Sequence, residues 1–135
     1  MDRVKIKRLK LHQDERGLVA EILRREELGE KKSFGQIYLT TANPGFVKGN
    51  HYHQRKTEWF TVVKGEGKLF LEDLESGEKE EILMNEKENF LVVEVSPQVA
   101  HAIKNTGKEV LYLLAYIDEP YNPDDPDTFP YQLAT

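Results

Sequence analysis

The chain has 135 residues and a formal charge of −5, with 39% hydrophobic and 32% charged residues and no cysteine. That length suits one domain able to bury its own core, and the lack of cysteine excludes disulfides, thiolate ligands and thiol nucleophiles. The acidic balance argues against a nucleic-acid binder working by phosphate neutralisation, and no run approaches the roughly 18 apolar residues of a membrane span.

Val4 to Leu11 alternates with an interruption, as a half-buried strand does, and Asp14-Glu15-Arg16-Gly17 makes a turn. Leu18 to Leu23 resumes apolar character, and Arg24 to Glu30 is the one modestly helical stretch. Lys31-Lys32-Ser33 leads into a strand over Gly35 to Thr41, which Asn43-Pro44-Gly45 breaks. Short strands then follow over Gly49–His53, Thr57–Lys64, Gly67–Leu74, Lys79–Leu83, Phe90–Val95, Ala100–Asn105 and Val110–Ile117, with Ser76-Gly77 as one of the turns. Many short strands separated by Gly, Pro and Asn predict an all-β jelly roll rather than a βαβ fold. The segment 118–135 holds four of the six prolines, cannot supply a central strand, and is expected as an extended arm on a single domain spanning 1–135. That arm is read as covering an apolar flank rather than closing over a pocket.

Three of the four histidines fall in one constellation. Gly45 to Gly65 reads G-x5-H-x-H-x4-E-x6-G, with His51, His53 and Glu58 as its polar members, and His101 follows later. Residues two apart in a strand point the same way, so His51 and His53 project together while Tyr52 faces away. Four residues before Glu58 suffice for a turn that brings its carboxylate beside them, and His101 can return to the same cavity on a later strand. Three imidazoles and a carboxylate suit a divalent metal with positions left open. Metal-free acid and base work by the histidines remains an alternative. Lys48, Arg55 and Lys56 offer a local cationic patch on an acidic protein, enough for a diphosphate.

With these residues in view, the chain resembles the cupin superfamily, whose first motif is matched throughout from Gly45 to Gly65. The second, G-x5-P-x-G-x2-H-x3-N, is met in part: Pro97, His101 and Asn105 are present, but Gln98 or Val99 stands where glycine is expected and the proline lies one residue closer. A differently shaped loop before His101 is the expectation. Asp14 to Glu21 is similar to the D-x-R-G-x-x-x-E segment of nucleotide-sugar 3,5-epimerase and 3,4-ketoisomerase cupins. Gly49 to Phe60 resembles G-N-H-Y-H-x-x-K-x-E-x-F in the C-terminal cupin domain of bifunctional capsular polysaccharide-synthesis enzymes, and the tail from Asn122 to Thr128 is similar as well.

The resemblance implies a cupin barrel, or double-stranded β-helix, that binds zinc (or iron, manganese or nickel) and epimerises a nucleotide-linked 4-keto-6-deoxy sugar in polysaccharide biosynthesis. It implies a homodimer with a separate sugar reductase; the lack of an apolar N-terminal region or span and the acidic charge add the expectation of a cytoplasmic protein whose partners are neither nucleic acid nor membrane. The metal set carried over is His51, His53, Glu58 and His101. Catalysis is assigned to His51, His53, His101 and Lys56, and substrate binding to Arg16, Glu21 and Lys56. If all three histidines hold metal, the base must be a tyrosine (38, 52, 112 or 116), Glu21 or a metal-bound hydroxide. The rival readings are a metal-free 3,4-ketoisomerase, a non-catalytic sugar-binding cupin and a metal-dependent oxygenase.

Overall fold

The computed structural model describes residues 1–30 and 33–135, so the Lys31-Lys32 lead into the fourth strand lies outside the described residues. Among the described residues, twelve strands run in chain order: β1 (Val4–Arg8), β2 (Lys10–Asp14), β3 (Gly17–Glu21), β4 (Gln36–Ala42), β5 (Val47–Tyr52), β6 (Glu58–Lys64), β7 (Glu66–Asp73), β8 (Lys79–Asn85), β9 (Leu91–Val95), β10 (Val99–Asn105), β11 (Leu111–Ile117) and β12 (Phe129–Pro130). They form two five-stranded antiparallel sheets, ordered β1-β9-β6-β11-β4 and β12-β5-β10-β7-β8, with β2 and β3 as a separate hairpin. This is the jelly roll that the pattern predicts, with its core between the sheets.

Period-two burial builds that core. Leu69 and Leu71 of β7, Val93 and Val95 of β9, and Leu111 and Leu113 of β11 turn inward with Val62 and Met84. A smaller apolar cluster lies on the outer face of the first sheet, where Trp59, Val92 and Tyr116 meet Leu9.

Three expectations change. Val4 to Leu11 is two strands, because Leu9 turns out of the first sheet into the outer cluster and donates its amide to Phe90 O at 2.9 Å. The interrupted alternation after Ile6 was the trace of that bend. Arg24 to Glu30 yields only a 3-10 turn, Arg25–Leu28, with Gly29 at its C-cap; so short a stretch is too little to sustain an α-helix. The prolines do keep the arm at an edge, but β12 pairs with β5 directly beside the histidines, Pro130 opposite His51.

Candidate metal centre

Three strands gather the constellation at one mouth of the barrel. His51 ends β5 and stands opposite His101 of β10 in register, while Glu58 opens β6. Between the paired histidines and the next pair, Ala102 with Gly49, the register shifts by one residue, Asn50. This β-bulge carries positive φ at Gly49 (98°) and Asn50 (57°). A Cβ on Gly49 would stand 2.9 Å from His101 O, so glycine lets β5 approach β10 closely enough for the imidazoles to meet.

The ligand atoms of His51, His53, Glu58 and His101 all lie within 4.8 Å of one another. The three rings form a triangle with centroids 4.8 to 5.4 Å apart. His53 donates Nδ1–H to Asp127 O at 2.7 Å and His101 donates Nδ1–H to Val99 O at 3.1 Å. Both bonds fix the tautomer and aim Nε2 into the cluster. His53 Nε2 is 2.5 Å from Glu58 Oε1, whereas buried His101 Nε2 stands 3.4 Å from the same oxygen and makes no hydrogen bond. An orphaned buried ring nitrogen, with Nδ1–H bound to a carbonyl behind it, is the arrangement of a histidine that ligates a metal. The residues present fit a divalent cation.

Electrostatics agree at His51 and Glu58, while at His53 a bound cation would have to displace a proton. Burial, then the charges of His101 and His53, pushes His51 down to about 4 from an ordinary 6.5, so it is neutral and able to ligate near pH 7. Burial also works against a charged His53, but the Glu58 carboxylate outweighs it and raises the pKa. Glu58 is only 1% exposed; burial opposes its ionisation, yet the two histidines hold its carboxyl well below the usual range. Its other oxygen accepts from the Tyr38 hydroxyl. Burial, followed by the Glu58 charge, raises Tyr38 strongly, so the phenol stays protonated.

Two cavities flank the cluster and share Tyr38 and His51. One, about 310 Å³, adds His53, Glu58, Lys56, Tyr121 and Thr128; the other, about 240 Å³, is lined by Lys48, Phe60 and His101 among others. A larger apolar cavity of about 390 Å³ lies on the outer face of the first sheet, around Trp59, Leu114 and Tyr116, away from the cluster. Lys56 thus reaches the metal-type site, with Nζ donating to Pro126 O at 3.1 Å. Its neighbours do not form one patch with it: Arg55 is engaged by Glu119 and Asp125, and Lys48 stands at the other cavity.

Arg16 and Glu21 are not brought to this cluster within the chain. Both lie on the β2–β3 hairpin, Arg16 paired with Asp14 and Glu21 with His12 and Arg24. The loop before His101 also differs from expectation. Gln98 adopts φ 69°, the left-handed conformation that the missing glycine would supply, and is held there as its amide donates to His53 O at 2.8 Å and its carbonyl accepts from Leu74. The arm does more than cover a flank, since Tyr121 and Thr128 line the cavity at the cluster. The residue missed from sequence is Asp127, whose partners lie more than 70 positions away with no local pattern to announce them.

Two sandwiched antiparallel sheets, with ligands drawn from β5, β6 and β10 to one open end, define a cupin. Within that class, the chain belongs to the polysaccharide biosynthesis C-terminal domain family, which matches residues 12–129. It is 32% identical over 132 residues to the spore coat polysaccharide biosynthesis protein SpsL of Bacillus subtilis, covering 94% of this chain and 86% of that protein. It is 33% identical over 119 residues to the UDP-2-acetamido-2,6-beta-L-arabino-hexul-4-ose reductase of Pseudomonas aeruginosa, covering 88% of this chain but only 30% of the reductase. Among solved structures, a dTDP sugar isomerase from Desulfovibrio desulfuricans G20 superposes with a TM-score of 0.81 at 23% identity, over 98% of this chain and 83% of that one. No helix among the described residues is long and apolar enough to cross a membrane.

Proposed function

We propose that this chain binds a divalent metal, zinc foremost, through His51, His53, Glu58 and His101, and enolises a nucleotide-linked 4-keto-6-deoxy sugar in polysaccharide biosynthesis so as to epimerise it. The observation that carries the reading is the convergence of these four side chains around the orphaned Nε2 of His101, beside two cavities. The family match and the 4-ulose named in the Pseudomonas reductase support this substrate class. Bound there, the cation would supply Lewis-acid polarisation of the ketone oxygen.

The chain's own residues do the rest. Lys56 sits in the cavity as a fixed positive charge for the ketone oxygen or a phosphate oxygen. Tyr38, the one of the four candidate tyrosines whose hydroxyl meets Glu58, keeps its phenolic proton and is placed to return a proton to carbon. The C–H proton next to the ketone passes to the Glu21 carboxylate that a second copy would bring to the cavity, leaving the electron pair in the enolate; reprotonation of the opposite face of that carbon by the Tyr38 hydroxyl completes the epimerisation. Phe60 and Ile117 supply apolar wall to the two cavities, which favours charge interactions there.

The functional unit in this reading is a homodimer. The β2–β3 hairpin pairs with no third strand among the described residues and leaves Leu18 and Val19 exposed, while β4 leaves Ile37 and Leu39 exposed on the outer face. A second copy would cover these surfaces and bring Arg16 and Glu21 to a neighbouring cavity.

One observation favours a second reading, a metal-free 3,4-ketoisomerase: His51 is half-buried, neutral and faces both cavities, as a base would. Incubation with UDP- and dTDP-linked 4-keto-6-deoxy sugars in deuterated water, followed by NMR, tests both. Deuterium next to the ketone with inverted configuration and metal-dependent turnover supports the first; ketone migration unaffected by chelator supports the second. No exchange at full metal occupancy leaves a non-catalytic sugar-binding cupin or an oxygenase.

A further inference from the structure

The loop joining His53 to Glu58 has its backbone held by the arm. Asp127, 4% exposed, accepts at Oδ1 from the Gln54 amide (3.0 Å) and at Oδ2 from those of Arg55 (3.1 Å) and Lys56 (3.2 Å). Three consecutive amides on one carboxylate make an anion nest whose anion is a side chain. The same residue's carbonyl accepts His53 Nδ1–H at 2.7 Å. One residue further on, Thr57 N donates to Asp118 Oδ1 at 3.1 Å, and Asp118 N returns a bond to Thr57 O at 3.2 Å. Asp127 makes its contacts from φ 48°, a conformation that non-glycine residues seldom take without compensating bonds.

We infer that Asp127 is a positioning residue of the metal centre, and that docking of the 118–130 arm and metal binding at His51, His53, Glu58 and His101 are coupled. The inference rests on the metal reading above. Its carboxylate shapes the ligand loop and its carbonyl fixes the tautomer of His53, so a chain with the arm undocked presents His53 and Glu58 out of place. Coupling is reciprocal: whatever the docked arm adds to metal affinity, bound metal adds to arm docking.

The test compares wild type with Asp127→Gly and Asp127→Asn. Glycine keeps the positive φ and the carbonyl but removes the carboxylate; asparagine keeps one acceptor oxygen. Zinc Kd by chelator competition should weaken 10- to 100-fold in the glycine variant, with partial recovery in the asparagine variant. Long-range 15N spectra of the metal-free proteins should show the His53 Nδ1–H tautomer eroded in the glycine variant and better kept in the asparagine variant. A measurement that needs no variant is chymotrypsin cleavage of wild type at Tyr121, which zinc should slow at least several-fold. Equal zinc Kd in wild type and Asp127→Gly, or cleavage of the arm unaffected by zinc, overturns the coupling. A wild-type chain that takes up no zinc overturns the metal reading itself, and this inference with it.

Discussion

The metal-type cluster and the β2–β3 hairpin are equally conspicuous as motifs, yet they end in opposite physical states. His53, Glu58 and His101 are buried among three strands and an arm, each with a hydrogen bond or ion-pair partner at hand. Arg16, in contrast, is paired with Asp14 two residues away, and its side chain is 85% exposed. A site that works within one chain is over-determined by its own fold. A motif left exposed on a two-stranded ribbon, which is marginal alone, points beyond the chain that carries it.

Breaking the first region should have the largest effect. His101→Ala should abolish stoichiometric metal and, with it, deuterium exchange into substrate, read by elemental analysis and NMR; a fully active, metal-free variant would sink the ligand assignment. Glu58→Gln comes next, because it removes the only carboxylate of the cluster and leaves His53 without its ionic partner. Urea unfolding of the metal-free variant at pH 6 should show a loss of about 2 kcal/mol.

The contrast itself is sharpened by pairing Lys56→Met with Arg16→Ala. Both should retain metal, and both should weaken substrate handling, with KM raised about tenfold for loss of one charged contact. Only the Arg16 effect should shrink on dilution below the dimer's Kd, since the wild type then also loses a contact made from a neighbouring copy. Metal loss in Lys56→Met would show that residue to be misplaced here.

The pH dependence of metal-free stability is a smaller effect. Burial holds His51 at about 4 against 6.5 in the unfolded chain, so stability falls as pH drops from 6.5 towards 4. Glu58, held below its ordinary range, contributes above pH 4.5 and loses that contribution on further acidification. His53, raised by Glu58, contributes fully below 6.5 and loses that contribution as pH rises through its folded value. Stability should therefore peak near pH 6.5, and a monotonic rise from pH 5 to 9 in chemical denaturation would contradict this. Smallest is Gln98→Gly, expected to stabilise by up to about 1 kcal/mol by relieving the left-handed glutamine, less what glycine costs in entropy.

What could be read from the sequence was what strand periodicity controls. His51 and His53 two apart, Glu58 after a turn and His101 on a returning strand all follow from the pleat, and so does the jelly roll. The split at Leu9 was only hinted at, because a bend that moves one residue from one face to the other leaves two short apolar patterns that read as one. Gln98 misled because the backbone needs a conformation, not a residue type, and two hydrogen bonds supply what glycine would have. Asp127 was invisible: its four contacts join segments more than 70 positions apart, and nothing about an aspartate among prolines says which amides it will meet.

The bulge at Gly49 and Asn50 turns the Gly45-to-His51 interval into a ruler. Because side chains alternate faces, removing or adding a paired residue of β5 would slip the strand against β10 and turn its inward side chains outward, whereas Asn50 is the one residue the bulge leaves unpaired while His51 stays opposite His101. Exchanging the exposed Phe46 or Lys48 for other residues leaves the count intact. Through this stretch the chain tolerates changes of letter far better than changes of length, so insertions and deletions, rather than substitutions, are the events that would silence the site.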